Sequence, residues 1–146
     1  MLPRWHIIFG ALFALFIWYT SPFIGIFNIT LIFLASFLID FDHYVVFFMK
    51  TGKLSLWHAF DYHKKRQIKE EAEIRRGIRR KGDDFHLFHT IEFHVLIGFL
   101  GILWTPFLYI FIGMVFHSLL DLIDGLYYGK LHRREYFFFN WLRKKF

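Results

Sequence analysis

The chemistry in this sequence lies in carboxylates and imidazoles set among apolar residues. Five acids, Asp40, Asp42, Glu92, Asp121 and Asp124, interrupt stretches otherwise rich in Phe, Leu and Ile. His6, His43, His89, His94 and His117 stand with them, and His86 lies at the margin. An acid near the centre of a membrane span costs about 2.5–3.5 kcal/mol on insertion scales, so each needs a partner. No Lys or Arg occurs between residues 5 and 49 or between residues 82 and 129, so a cation must come from elsewhere. A bound divalent metal is the natural counter-ion. Imidazole and carboxylate without thiolate suit zinc, manganese or iron. The absence of Cys excludes a disulfide scaffold, an iron–sulfur cluster and Cys-ligated zinc. A catalytic zinc takes three protein ligands and keeps one position open. The surplus of candidates therefore predicts two or more ions, with Asp121 or Asp40 bridging them. Asp42 and Glu92 are the candidates for orienting a ligand or taking a proton from water.

Spacing assigns faces. His117 and Asp121 are four apart and Asp124 follows three later, which puts all three on one helical stripe. Asp40 and His43 share a face, from which Asp42 points away in an ideal helix. His89 and Glu92 share one face of the third stretch, while His86, Thr90 and His94 share another. His89 and His94 are thus some 140° apart, which is awkward for a single ion unless the helix unwinds locally. His6 alone reads as an interfacial residue and becomes a ligand candidate only with the rest. His86 and His132 read as interface residues, and His58 and His63, flanking Asp61, as solvated loop histidines.

These residues need elements to carry them. The chain has 146 residues, 56% apolar and 23% aromatic, yet 21% charged with a formal net charge of +6. Apolar spans alternating with charged loops account for both extremes. The spans run over about 5–19, 23–49, 85–105 and 107–128. Each is about 15–27 residues, long enough to cross or nearly cross roughly 30 Å of hydrocarbon. Pro22 and Pro106 at the short turns fit helix starts. The first span has no small-residue cleavage site before Pro22 and reads as a retained span rather than a signal peptide. Eleven of 18 Lys and Arg lie between Lys50 and Lys81, six lie from Lys130 to Lys145, and the last is Arg4. That asymmetry predicts that both termini and the loop at about 50–84 are cytoplasmic. Counted at about 1.5 Å per residue from the outer turns, all four spans bring their ionisable groups into the cytoplasmic half.

The expected fold is all-α: one membrane domain over residues 1–146, a four-transmembrane-helix bundle converging on one inward-facing site. The loop reads as helix from Asp61 to Lys81, with Glu71/Arg75 and Lys69/Glu73 pairs. Its Arg75-Arg76 and Arg79-Arg80-Lys81 runs suit anionic lipid or a phosphate-bearing substrate. No aromatics interleave those runs, so nucleic acid is not the expected partner. The tail, about 131–146, suits an amphipathic helix in the interface with no catalytic content.

The motifs His6, Asp40-Phe41-Asp42-His43, His89-Thr90-Ile91-Glu92-Phe93-His94 and His117-Ser118-Leu119-Leu120-Asp121, in that order, resemble the YdjM-like membrane-bound metal-dependent hydrolase family. The likeness runs from His6 to Asp121. The third motif keeps the histidine spacing but lacks the family's Arg and Gly and gains Glu92. The resemblance implies His6, Asp40, Asp42, His43, His89, His94, His117 and Asp121 as metal ligands. The family is in turn distantly similar to zinc-dependent phospholipase C, which implies a phosphoester substrate, lipid included. The expected function is a metal-dependent hydrolase of the cell (inner) membrane. A metal-ion transporter is the rival, although transporter sites tend to sit at the midplane between broken helices. A haem electron carrier would not need five carboxylates at the same level.

Overall fold

A computed structural model describes residues 3–78 and 85–146. Among them the chain is all-helical, with no strand. The helices are α1 (Pro3–Thr20), α2 (Ile26–Leu38), α3 (Phe41–Thr51), α4 (Leu56–Arg75), α5 (Ile91–Leu103), α6 (Thr105–Tyr127) and α7 (Phe138–Lys145). Single turns over Leu87–His89 and Leu131–Arg133 precede α5 and α7. Two apolar helices are long enough to cross a membrane, Ile26–Thr51 taken as one element and α6. The helices α1 and α5 are apolar but shorter.

Small residues set how closely the helices approach. At Gly10 of α1 an added Cβ would strike the Ser36 side chain of α2, and at Gly113 of α6 it would strike the Ile32 carbonyl and the Ala35 methyl. Close backbone approach of this kind is how apolar helices associate where the surroundings are as apolar as their own side chains. Ala14, Ile29 and Ile32 form one core cluster, and Ile39, Ile97 and Met114 form another. Phe13 and Phe116 stack between α1 and α6 with ring centroids 4.0 Å apart. The outer faces stay apolar and exposed, as with Phe27 (63%), Phe99 (58%) and Ile123 (60%). Exposed apolar surface on this scale marks a site of protein or membrane contact.

The long apolar element breaks between α2 and α3. The Asp40 N–H bonds the Phe37 carbonyl at 3.2 Å and the His43 N–H bonds the Asp40 carbonyl at 3.0 Å, each three residues back. Such tightening adds about 20° per residue relative to an α-helix, so the ideal-helix placement of Asp42 does not hold beyond this point. Asp42 turns inward and is buried. Pro22 lies in a turn, and α2 begins at Ile26, so of these two prolines Pro106 alone stands in the first turn of a helix.

The polar loop forms α4, which begins and ends earlier than Asp61–Lys81. Ser55 caps it by accepting the His58 N–H, and Gly77, at φ 75°, lies just beyond its end. Arg79-Arg80-Lys81 lies outside the described residues. The pairs within α4 include Asp61 with Lys65 at 2.7 Å and Arg66 with Glu70 at 3.2 Å. The helix is tied to the C-terminal segment by Lys130 to Glu71 at 3.3 Å and Arg133 to Glu73 at 2.8 Å. The Gln67 amide and then Lys130 hold Glu71 below the usual carboxylate range. The tail is not one helix: Arg134–Phe137 runs between the turn and α7, and the Tyr136 carbonyl accepts the Ile91 N–H at 2.9 Å.

Candidate metal centre

Four ligand atoms converge where α2 meets α3 and the 87–89 turn meets α6. One each from Asp40, His89, His117 and Asp121, they lie within 4.8 Å of one another. His117 Nδ1 is 2.9 Å from the Ser36 carbonyl. His89 Nδ1 is 2.9 Å from Asp42 Oδ2, which also accepts the Phe88 N–H at 3.2 Å. A carbonyl and a carboxylate only accept, so both Nδ1 atoms carry a proton, and each ring in its neutral form presents a lone pair at Nε2. Those two Nε2 atoms face each other at 3.1 Å. Asp40 Oδ1 is 3.5 Å from each of them, and Asp121 Oδ2 is 3.7 Å from His89 Nε2 and 3.4 Å from His117 Nε2. With both rings neutral, four acceptors face one point, and a cation among them relieves their repulsion. Tetrahedral zinc with bonds of about 2.0–2.2 Å needs ligand atoms roughly 3.3–3.6 Å apart; the spacings of 3.4, 3.5 and 3.5 Å fall in that range, and those of 3.1 and 3.7 Å lie just outside it.

Orphaned buried atoms point the same way. His6 is fully buried and stacks on His117 with ring centroids 3.9 Å apart, yet neither of its ring nitrogens has a hydrogen-bond partner. Its Nε2 lies 3.3 Å from Asp121 Oδ1 and 4.0 Å from Asp40 Oδ2. Asp40 and Asp121 therefore each turn one oxygen to the His89/His117 pair and the other to His6, the geometry of bridging carboxylates. Asp40 Oδ2, Asp42 Oδ1 and His86 Nδ1 are likewise buried without a hydrogen bond. Leaving such groups unpaired costs about 1–3 kcal/mol each, more for charged ones. Asp42, His43 and His86 form a second group able to hold an ion. His86 Nδ1 lies 3.4 Å from Asp42 Oδ1, and His43 Nε2 lies 3.4 Å from Asp40 Oδ1. The two groups share one polar core.

Two predicted site residues are not brought to it. The turn over Leu87–His89 ends at Thr90, whose hydroxyl caps α5 by accepting the Phe93 N–H at 3.3 Å. His89 thus precedes the helix while Glu92 and His94 belong to it, so wheel angles between them do not apply. The Glu92 carboxylate accepts the Phe138 and Phe139 N–H groups at 2.9 and 3.3 Å, capping α7. A proton-accepting role for Glu92 at the cluster gives way to this capping role. His94 sits between the Thr90 carbonyl and the Ser118 hydroxyl at 2.8 and 2.9 Å and belongs to neither ligand group. Asp42, read as an orienting or proton-accepting group, touches His89 directly and holds its tautomer.

Three participants lie outside that set. His86 joins the second group. His63 bonds the His43 carbonyl at 2.9 Å through Nε2. Arg134, from the tail, bonds Asp121 Oδ2 at 2.6 Å and supplies the missing cation. The lack of any Lys or Arg within the spans signals such a visitor but does not say which one. A cavity of about 390 Å³ leads to the cluster, with Asp40, His43, His86, Asp121 and Arg134 among its lining and α4 along its side. Tyr136 also lines it, and burial pushes its phenol above the ordinary value.

An Asp42→Asn substitution tests the role of the Asp42–His89 contact. Loss of a carboxylate that orients a ligating imidazole typically weakens a metal roughly 10–100-fold. Competition with a chelator should show a loss of that size, and an unchanged affinity would remove Asp42 from the centre. No family model matches the chain, and neither curated proteins nor solved structures yield a match.

Proposed function

We propose that this chain is an integral-membrane, metal-dependent hydrolase acting on a phosphoester from the cytoplasmic side. The observation that carries the reading is the pair of facing Nε2 atoms between two carboxylates, at the end of a cavity bordered by cations. The motif likeness to the YdjM-like hydrolases supports it. Zinc or manganese bound there, as one ion or two, would polarise a phosphoryl oxygen and make water a nucleophile near neutral pH. The chain's own residues do the rest. Asp42 and the Ser36 carbonyl hold His89 and His117 in the ligating tautomer. With an ion in the first group alone, His43, partly exposed on the cavity wall, is free to take a proton from water entering there.

The membrane arrangement belongs to the same proposal. The helix α1, the α2 and α3 pair, α5 with its preceding turn, and α6 cross the bilayer, leaving α4 and both termini in the cytoplasm. At about 1.5 Å per residue α5 covers only about 20 Å, so the 87–89 turn lies within the cytoplasmic half of its span. Ser55→Cys in intact cells should resist an impermeant thiol reagent applied from outside, and labelling there would overturn the orientation. Metal-loaded protein should hydrolyse a member of a panel of phosphomonoesters and phosphodiesters, lipid ones included, and lose that activity on chelation. Full metal loading with no hydrolysis, together with metal flux across proteoliposomes, would replace this reading with transport.

A further inference from the structure

The cations bordering the cavity are not equivalent. Arg66 pairs with Glu70, Lys130 with Glu71 and Arg133 with Glu73, so acids of α4 neutralise these three, while Lys64, which also lines the cavity, stands on α4 as a point charge without a planar fork. Arg134 differs. Its side-chain hydrogen bond runs from Nη1 to Asp121 Oδ2 at 2.6 Å and ends on a residue of the ligand group. Its Nε and Nη2 donate to no described residue, and 26% of the side chain remains exposed where it lines the cavity. A guanidinium carries five N–H donors in a planar fork that matches carboxylate or phosphate oxygens two at a time. With one donor group held by Asp121, the others remain for a second oxyanion. A divalent ion on Asp121 draws off that carboxylate's charge and leaves Arg134 less neutralised, so metal loading favours an incoming anion. The cavity also offers an apolar wall at Phe41, Leu56 and Phe60.

We infer that Arg134 is the anion clamp of this site, bridging Asp121 to a phosphoryl group seated in the cavity beside the ligand cluster. The inference rests on the metal-loaded reading given above and names the residue that recognises its substrate class. The phosphoryl group can arrive free or on a lipid, and both share this chemistry.

Calorimetric titration of manganese-loaded, detergent-purified protein tests it, with inorganic phosphate in one arm and a single-chain lipid phosphate in the other. Wild-type protein should bind at least one of them. R134Q should keep the wild-type manganese content while that affinity falls roughly 10–100-fold, the worth of charge-assisted hydrogen bonds. R134K should recover part of it, since a lysine restores the charge but not the fork. Wild-type affinity in R134Q overturns the inference, as does metal-loaded wild-type protein that binds neither ligand. If R134Q loses its manganese and R134K restores metal and phosphate binding in full, Arg134 is a counter-ion only and the inference also fails. Phosphate binding through Arg134 without turnover of any ester leaves the clamp standing and removes the hydrolase. Ester turnover unchanged in R134Q does the reverse.

Discussion

Replacing His117 with alanine is expected to weaken zinc or manganese binding by more than roughly 100-fold. Removing a mere orienting partner costs about 10–100-fold, and His117 presents its own Nε2 to the centre. The variant also leaves the Ser36 carbonyl without its donor, so some destabilisation is independent of metal. The informative quantity is the metal-dependent increment in melting temperature. Metal at about 100 times its Kd stabilises a native state by about 2.7 kcal/mol through mass action. Wild-type protein should show that increment in detergent and lose it on chelation. His117→Ala should melt at one temperature with or without metal. A full increment in the variant would mean that the ion binds elsewhere.

The second large effect is expected at Gly113, one turn before His117. A Cβ there meets the Ile32 carbonyl and the Ala35 methyl at less than van der Waals distance, and backbone cannot swing aside as a flexible side chain does. Gly113→Val should therefore force α2 and α6 apart, at a cost of roughly 1–3 kcal/mol or more. The same separation pulls His117 from the Ser36 carbonyl, so metal affinity should fall along with the metal-free melting temperature. Gly25, which has open space around it, serves as the control, and Gly25→Ala should leave both quantities near wild type. A Gly113→Val protein of wild-type stability would contradict the packing of α2 on α6.

The residue types expose much of this in the sequence. Apolar stretches broken by His and Asp predict helices and a polar centre, and His117 with Asp121 share a face because α6 is continuous from Thr105 to Tyr127. What escapes is wherever the chain departs from an ideal helix. Asp42 is misdirected only on a straight helix; the tightened turn at Asp40 redirects it. His89 and His94 look irreconcilable only if both are helical, whereas the Thr90 cap leaves His89 in a separate turn and gives His94 to α5. Glu92 is acidic and near the ligands in sequence, yet its capping of α7 depends on a tail more than 40 residues away. Arg134 is the converse case. Its cluster of basic residues resembles an interfacial anchor, and only the chain reversal after α6, with Gly129 at φ 65°, returns it to Asp121. Long-range return of this kind has no periodicity to betray it.

Elemental analysis of the detergent-purified chain tests the central claim most directly, as metal equivalents per chain beside a variant carrying both His89→Ala and Asp121→Ala. The geometry predicts about one equivalent or more of zinc, manganese or iron in the wild type. It predicts only background in the double variant, with helical content retained by circular dichroism. A wild-type chain that stays metal-free after equilibration with these ions, or a double variant that holds as much metal as the wild type, would contradict it.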